Sequence, residues 1–395
     1  PVGRRAQLID SAAAAGAQFI ARDIGRARPV GSGHEELVRV LEAAPVSGAM
    51  KMSDGAGIAV APPPALEQSG RFGVIDVPVD DDGVVRRSLL YVDDGKTVFP
   101  GLALKVTLEY LKDLGIRQTA DPDDRTRMRL GEASLGPLAP DAGPYQTADS
   151  RGYQMLLDFR RGHSDFATID ARSLLAGNVQ PDLLNGKIVF IGIASELVKD
   201  FIVTPRSGAT ASGVLHGVAV HAWLSDQLIR LARGEAKPLD ALNPEYETAI
   251  IAAAGVVGLG AGLAIVSPLA LVLAGIALTA IAVGGSFVLF DADIWVPVVP
   301  GTVAALGCLA IAVGGRASVE RRQRQALMQL FSQQVSAEVA DDLWRRRDLI
   351  LDHGLPRPLS LAATVMFMDL AGSTSICLLY TSPSPRDERR YLVCR

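Results

Sequence analysis

The sequence predicts a membrane protein in three parts: a mixed α/β domain, a bundle of three membrane-spanning helices, and a further segment that contains an apolar β run. Residues 248–315 hold only two charged side chains, Asp291 and Asp293, within three long apolar runs. Residues 1–247 alternate helix-like and strand-like segments, the pattern of a layered α/β domain. Near the other end, an apolar β pattern at 363–368 stops at Asp369 and a turn of small residues. With 395 residues, the chain has room for two to three domains.

The first region opens on an Ala-rich helix at 8–17, followed by a strand from Gln18 that ends near Asp23. Residues 35–44 read as a helix with Leu37, Val40 and Leu41 on one side. Alternating apolar residues at 72–79 run into Asp80-Asp81-Asp82-Gly83, a turn signal, and 84–92 pairs with them as a predicted β-hairpin. A helix is expected at 102–111. The stretch 120–143, rich in Asp, Arg, Pro and Gly, reads as a loop-bearing insertion. Strands are expected at 153–159 and, after the turn Asn185-Gly186, at 187–193, with a helix at 214–230 leading to the membrane.

The three apolar runs, 248–266, 269–290 and 294–315, are each long enough to cross about 30 Å of hydrocarbon as a helix. Ser267-Pro268 joins the first two so tightly that a helical hairpin is forced. Arg316, Arg321, Arg322 and Arg324 directly follow the third run and place its end in the cytoplasm. Three crossings then put 1–247 outside, although Arg230 and Arg233 before the first run weigh slightly against this. Trp295 falls where an interfacial aromatic is expected. Gly258-x-x-x-Gly262 has the spacing for close helix approach, suited equally to a dimer face and to packing within the bundle.

Composition removes several classes. Apolar residues at 49% and charged ones at 21% exclude a disordered chain. A net charge of −4, split as −5 over 1–247 and +3 over 316–395, argues against a basic nucleic-acid binder. The first cysteine is Cys308, so 1–247 has neither a disulfide framework nor a Cys-based zinc site, and the five histidines show no metal-binding spacing. The chain starts at Pro1 with no visible signal peptide, which suggests that the natural protein begins further upstream.

Four pieces of the first region, in order, resemble the CHASE2 family of extracellular sensory domains: FGVIDVPVDDDGVVRR (72–87), MLLDFRRG (155–162), NGKIVFIGIAS (185–195) with Asp200 and the TP pair at 204–205, and HGVAVHAWLSDQL (216–228). The family places three membrane helices after the domain and usually one before it. The resemblance implies an extracytoplasmic sensor over 1–247 for an unknown external signal. Candidate sensor-site residues are Arg86 and Arg87, which suit an anion although solvated strand-end arginines are the commoner outcome. Asp200 is a third candidate, lying beyond a strand's carboxyl end where α/β sheets bind ligands. His216 and His221 are read as structural histidines.

After the third run, 316–347 has high helix propensity, with Leu327, Phe331, Val335, Val339 and Leu343 on one stripe. It is expected to be a cytoplasmic signalling helix that meets either a dimer partner or the following domain. LFSQQVSAEVADDLW (330–344) followed by ATVMFMDLAGST (363–374) resembles the opening of class III adenylate/guanylate cyclase domains, which have a ferredoxin-like α+β fold. That resemblance implies that Asp369, helped by the Leu370 backbone carbonyl, holds two Mg²⁺ or Mn²⁺ ions, and that amides of Ala371, Gly372, Ser373 and Thr374 touch nucleotide phosphates. It also implies ATP as substrate, cyclic AMP and diphosphate as products, a bacterial source, an inner-membrane location and a homodimer, since such sites form between two domains. The cyclase fragment covers 348–376. Residues 377–395 depart from the family, with Pro383, Pro385 and a charged cluster where an amphipathic helix belongs. The tail reads as an artefact, and the chain as written is expected to be inactive. Histidine-kinase and serine/threonine protein-kinase outputs also follow CHASE2 domains, but His353 lacks a phospho-acceptor context and no Gly-rich nucleotide loop is present; a membrane sensor with a degenerate output is the remaining alternative.

Overall fold

The computed structural model describes residues 2–25, 33–52, 59–145, 148–159, 166–194, 200–207, 215–331, 351–352 and 355–356. The chain divides into two units, Pro1–Gly314 and Gly315–Arg395.

The first unit begins with α1 (Val2–Ala14), which buries Val2, Ala6, Ile9 and Ala12 at helical spacing. Gly16, in the left-handed region at φ 87°, turns the chain into β1 (Phe19–Arg22). There follow α2 (His34–Ala43), β2 (Val46–Met50), α3 (Pro64–Glu67) and β3 (Phe72–Val74). Next come β4 (Arg87–Asp93), β5 (Val98–Pro100), α4 (Leu102–Asp113), β6 (Gln118–Ala120), β7 (Met128–Leu130), β8 (Ala133–Leu135) and β9 (Tyr153–Leu156). The domain closes with α5 (Ala171–Leu175), β10 (Ile188–Ile191), β11 (Phe201–Ile202), β12 (Leu215–His216) and α6 (Gly217–Ala232).

The central sheet is parallel throughout, in the order β10-β1-β2-β3. Successive strand residues face opposite sides. Ile20 accordingly joins the core beneath α1 and α2, while Ala21 joins Leu102 and Val106 of α4 on the other face. Gly73 allows α4 to seat directly on β3, because a Cβ there would lie 2.5 Å from Leu102 Cα. A larger core unites α4 and α6 with the antiparallel sheet β5-β4-β9 and the meander β6-β7-β8. Buried polar groups fix α6 in place. Trp223 Nε1 donates to the Asp158 carbonyl at 2.8 Å, and Gln227 accepts from Asp158 N–H at 3.0 Å while donating to the Leu156 carbonyl at 3.1 Å.

Two expectations are corrected. The 72–92 segment is not a hairpin: β3 pairs in parallel with β2, and β4 pairs with β5 and β9 in another sheet. The turn is real, with Gly83 at φ 79° and its N–H on the Asp80 carbonyl at 2.8 Å, but it hands the chain from one sheet to the next. The 120–143 stretch is not merely loop, since it carries β7 and β8.

Three apolar helices follow: α7 (Pro244–Ala264), α8 (Pro268–Asp291) and α9 (Val298–Phe331). Each is long and apolar enough to cross a membrane. Ser267 caps α8, its side chain accepting from Ala270 N–H at 3.5 Å. α8 buries none of its residues, the state of a helix whose solvent is lipid. Gly255, Gly258 and Gly262 of α7 lie against Cys308, Ala305 and Ala312 of α9, so the small-residue face is used within the bundle. The third helix starts later than expected because Ile294 and Trp295 form a short strand, β14, which pairs in parallel with β13 (Asp240–Ala241). In the second unit, the described residues are the remainder of α9 and an antiparallel pair, Leu351–Asp352 with Leu355–Pro356.

Candidate functional site

From β1 the chain steps sideways to β2 and then β3, whereas β10 lies on the opposite side of β1. Such a reversal opens a crevice beyond the carboxyl ends of the two strands, where open α/β sheets take their ligands. Asp23 follows β1 directly, and its backbone N–H donates to the Ile191 carbonyl at the end of β10 at 2.8 Å. Asp200 follows β10, and its carbonyl accepts from Gly217 N–H at 3.3 Å. A Cβ on Gly217 would lie 3.0 Å from both Asp200 carboxylate oxygens. The absence of a side chain there lets the carboxylate rest on the first turn of α6, where the helix dipole favours negative charge.

Three more groups face this edge. Asp76, beyond β3, accepts from Met52 N–H at 2.7 Å. His221, on α6, is buried and hydrogen-bonds the Ile75 backbone; burial holds its pKa down to about 4 despite Asp200 and Asp76, so its ring is neutral at physiological pH. His216 ends β12 with its ring centroid 5.1 Å from that of Phe201, and its buried Nδ1 has no hydrogen-bond partner among the described residues. Asp23 itself is pushed up to about 7, first by burial and then by the Asp200 charge. The edge therefore presents two neighbouring carboxyl groups, one of them raised in pKa by burial, and an imidazole whose Nδ1 has no hydrogen-bond partner among the described residues. That set can accept hydrogen bonds from a donor-rich or cationic ligand. Among the described residues no group of three or more His, Cys, Asp or Glu is placed to hold a metal ion.

Arg86 and Arg87 lie elsewhere and meet the chain's own carboxylates. Arg87 is buried; its Nε donates to Asp80 Oδ1 at 2.8 Å, and its Nη1 to Gln154 Oε1 at 2.9 Å and the Asp149 carbonyl at 2.7 Å. Arg86 donates to Asp80 Oδ2 at 2.8 Å and to Asp82 Oδ2 at 2.6 Å. Hydrogen bonding to Arg86 holds Asp82 down to about 2. Tyr145 completes the cluster, its hydroxyl donating to Asp80 Oδ2 at 2.8 Å beneath the Arg87 guanidinium. Burial and Asp80 together push the phenol well above its ordinary pKa.

The structure thus sets Asp200 beside Asp23, whereas Arg86 and Arg87 are engaged by Asp80, Asp82, Gln154 and the Asp149 carbonyl. The sequence reading passed over Asp23 and Asp76 as site residues. Their signal was the one used for Asp200, an acidic residue just past an apolar strand. Asp369, Leu370, Ala371, Gly372, Ser373 and Thr374 lie outside the described residues, as do Val335, Val339, Leu343, His353 and the tail from 377.

A layered α/β domain joined to three helices long and apolar enough to cross a membrane defines the class of a membrane protein. The CHASE2 domain model matches residues 1–260, and the chain belongs to that family. No curated protein and no solved structure shows significant similarity to the chain.

Proposed function

We propose that the protein is a receptor whose CHASE2 domain reads a signal outside the cell and whose complete cytoplasmic region makes a cyclic nucleotide. The observation that carries the output is the segment MFMDLAGST (366–374), an apolar strand pattern ending in a carboxylate and a small-residue turn, placed after a membrane bundle and a long helix. Asp369 and the Leu370 carbonyl are hard oxygen donors of the kind that Mg²⁺ or Mn²⁺ takes, and such ions would supply charge neutralisation at a triphosphate. Residues 371–374 would offer backbone amides to the phosphates of ATP. Arginines 316, 321, 322 and 324 support a cytoplasmic position for the end of α9. At the other end, the Asp23–Asp200 crevice is the proposed input.

The test is cyclic AMP formation from ATP and Mn²⁺ by membranes holding the complete protein, compared with its Asp369→Ala variant at equal expression. Synthesis abolished by the substitution supports the assignment. Synthesis that survives it overturns the metal role, and a complete protein that makes no cyclic nucleotide overturns the output.

A further inference from the structure

The connection between α8 and α9 is bound to the sensor domain. Asp293 adopts φ 67°, the one left-handed residue other than glycine among the described residues, a conformation that aspartate tolerates better than most. It turns the chain back so that the Asp293 carbonyl accepts from Asp240 N–H at 3.1 Å and the Trp295 carbonyl accepts from Leu242 N–H at 3.0 Å. The residues just before α7 and just before α9 are thereby joined in one ribbon. The Trp295 ring meets Tyr145 edge to face, with centroids 5.6 Å apart and planes at 86°. Gly143, at φ 59°, makes room: a Cβ there would touch both Ala241 and the Trp295 ring. Tyr145 is in turn held by Asp80 and Arg87, both buried.

We propose that Trp295 is a coupling residue, through which movement of the Asp80–Arg87–Tyr145 cluster is delivered to the start of α9. The inference rests on the receptor reading for its purpose, but not for its test. The path is short and continuous: the β4–β9 sheet holds Arg87, Asp80 bridges Arg87 and Tyr145, Tyr145 packs on Trp295, and α9 begins three residues later. A cavity of about 280 Å³ lies beside the ribbon, walled by Arg127, Leu138, Gln154, Leu156, Leu239 and Leu242. It leaves space for the ribbon to shift without forcing the core to repack, and Gln154 belongs both to this wall and to the Arg87 cluster.

The experiment is amide hydrogen exchange on the full chain in nanodiscs of phosphatidylethanolamine and phosphatidylglycerol. Tyr145→Phe removes one hydroxyl and keeps the ring. It is expected to speed exchange at Asp240 and Leu242, the amides that hold the ribbon, by roughly fivefold, as loss of one buried hydrogen bond allows, with β1 amides unchanged. Asp82→Asn, which alters the same cluster without touching Tyr145, is expected to leave the ribbon alone. Coupling is reciprocal, so Trp295→Phe should speed exchange at Leu157, whose N–H donates to the Arg86 carbonyl. Ribbon exchange within twofold of the parent in Tyr145→Phe, or an equal response to Asp82→Asn, overturns the proposal. Failure of cyclic nucleotide synthesis alone would sink the receptor's output and leave this result standing.

Discussion

Asp23→Asn is the sharpest probe of the sheet-edge site, because it replaces an oxygen by a nitrogen without emptying space. The parent carboxyl is pushed up to about 7 from an ordinary value near 3.8, by burial and by Asp200. Between those values the folded chain keeps a proton that the unfolded chain has released. Stability is therefore full below about pH 4, falls as pH rises through the window, and levels off above about pH 7. A separation of about three units corresponds to about 4 kcal/mol at full strength. Asp23 is only partly shielded from solvent, so a loss of about 1–3 kcal/mol is the working figure. For a domain of this size that is roughly 3–10 °C in the unfolding midpoint. The assay is thermal unfolding of the sensor domain in the intact nanodisc-held chain, followed by fluorescence of buried Trp223 at pH 5 and pH 8. Buried His221, held neutral with its pKa down to about 4, acts in the opposite sense and favours pH 8, so the reading is the difference between variant and parent: Asp23→Asn is expected to raise the midpoint relative to the parent more at pH 8 than at pH 5. Asp200→Asn should do so in part, by removing the second cause. An identical pH dependence in parent and Asp23→Asn would show that Asp23 is ordinarily solvated and that the crevice is not the acidic enclosure described above.

Other substitutions separate buried from exposed chemistry. Asp80→Ala strands Arg87, whose side chain is 5% exposed, and should destabilise the domain by about 3–5 kcal/mol in denaturant unfolding. Asp82→Ala removes a carboxylate that is 53% exposed and should leave the denaturant midpoint nearly unchanged. In the bundle, Gly258→Ala drives a methyl into the Ala305 backbone, whereas Gly260→Ala meets nothing within 4 Å. Only the first should weaken α7–α9 packing, read as a lower thermal midpoint for the membrane-embedded chain, by about 1–3 kcal/mol. Gly255→Cys places a second sulfur beside Cys308, whose Sγ lies 3.4 Å from the added Cβ, and should form a disulfide under oxidant even with Cys377 and Cys394 changed to Ser.

The elements legible in the sequence are those whose signal is local. The stripe Leu37, Val40, Leu41 announces α2, the run at 188–191 announces β10, and the long apolar stretches announce α7 and α8. Partner choice is not local, and there the sequence misleads. Asp82-Gly83 encodes a reversal, but nothing in it says that β3 belongs with β2 and β4 with β9. Gly73, whose missing side chain lets α4 seat directly on β3, is consistent with β3 lying inside the parallel sheet, but its signal is a single residue in an apolar run. β2 and the meander strands were hidden for another reason: at five and three residues each, they are too short for a two-residue alternation to stand out from polar surroundings. The dibasic pair was equally opaque. Arg86 and Arg87 look like an invitation to an anion, yet Asp80 precedes them by only six and seven residues, and Gln154 and Tyr145 arrive from some sixty residues further on.

The arrangement also accounts for why a charged cluster is buried so near the membrane at all. Burying an Arg–carboxylate pair gains little stability over apolar packing of the same volume. What it supplies is definition: Asp80 spends both oxygens on three donors, Arg86, Arg87 and Tyr145, so Tyr145 has one position and Trp295 one surface to meet. An apolar contact alone would let the ribbon slide. The sheet edge at Asp23 and the ribbon at Trp295 are then two ends of one domain, linked by α6. That helix begins against Asp200, bonds the Ile75 backbone just past β3 through His221, and holds Leu156 of β9 through Gln227 and Asp158 just beyond it through Trp223. A ligand that neutralised the Asp23–Asp200 pair would change the electrostatics at the first turn of α6. The strand that α6 grips is the one that supplies Gln154 to Arg87. The sheet edge and the ribbon are therefore joined through α6 and the hydrogen-bonded Asp80–Arg87–Tyr145 cluster, the kind of contiguous packed path over which two places can bias one equilibrium.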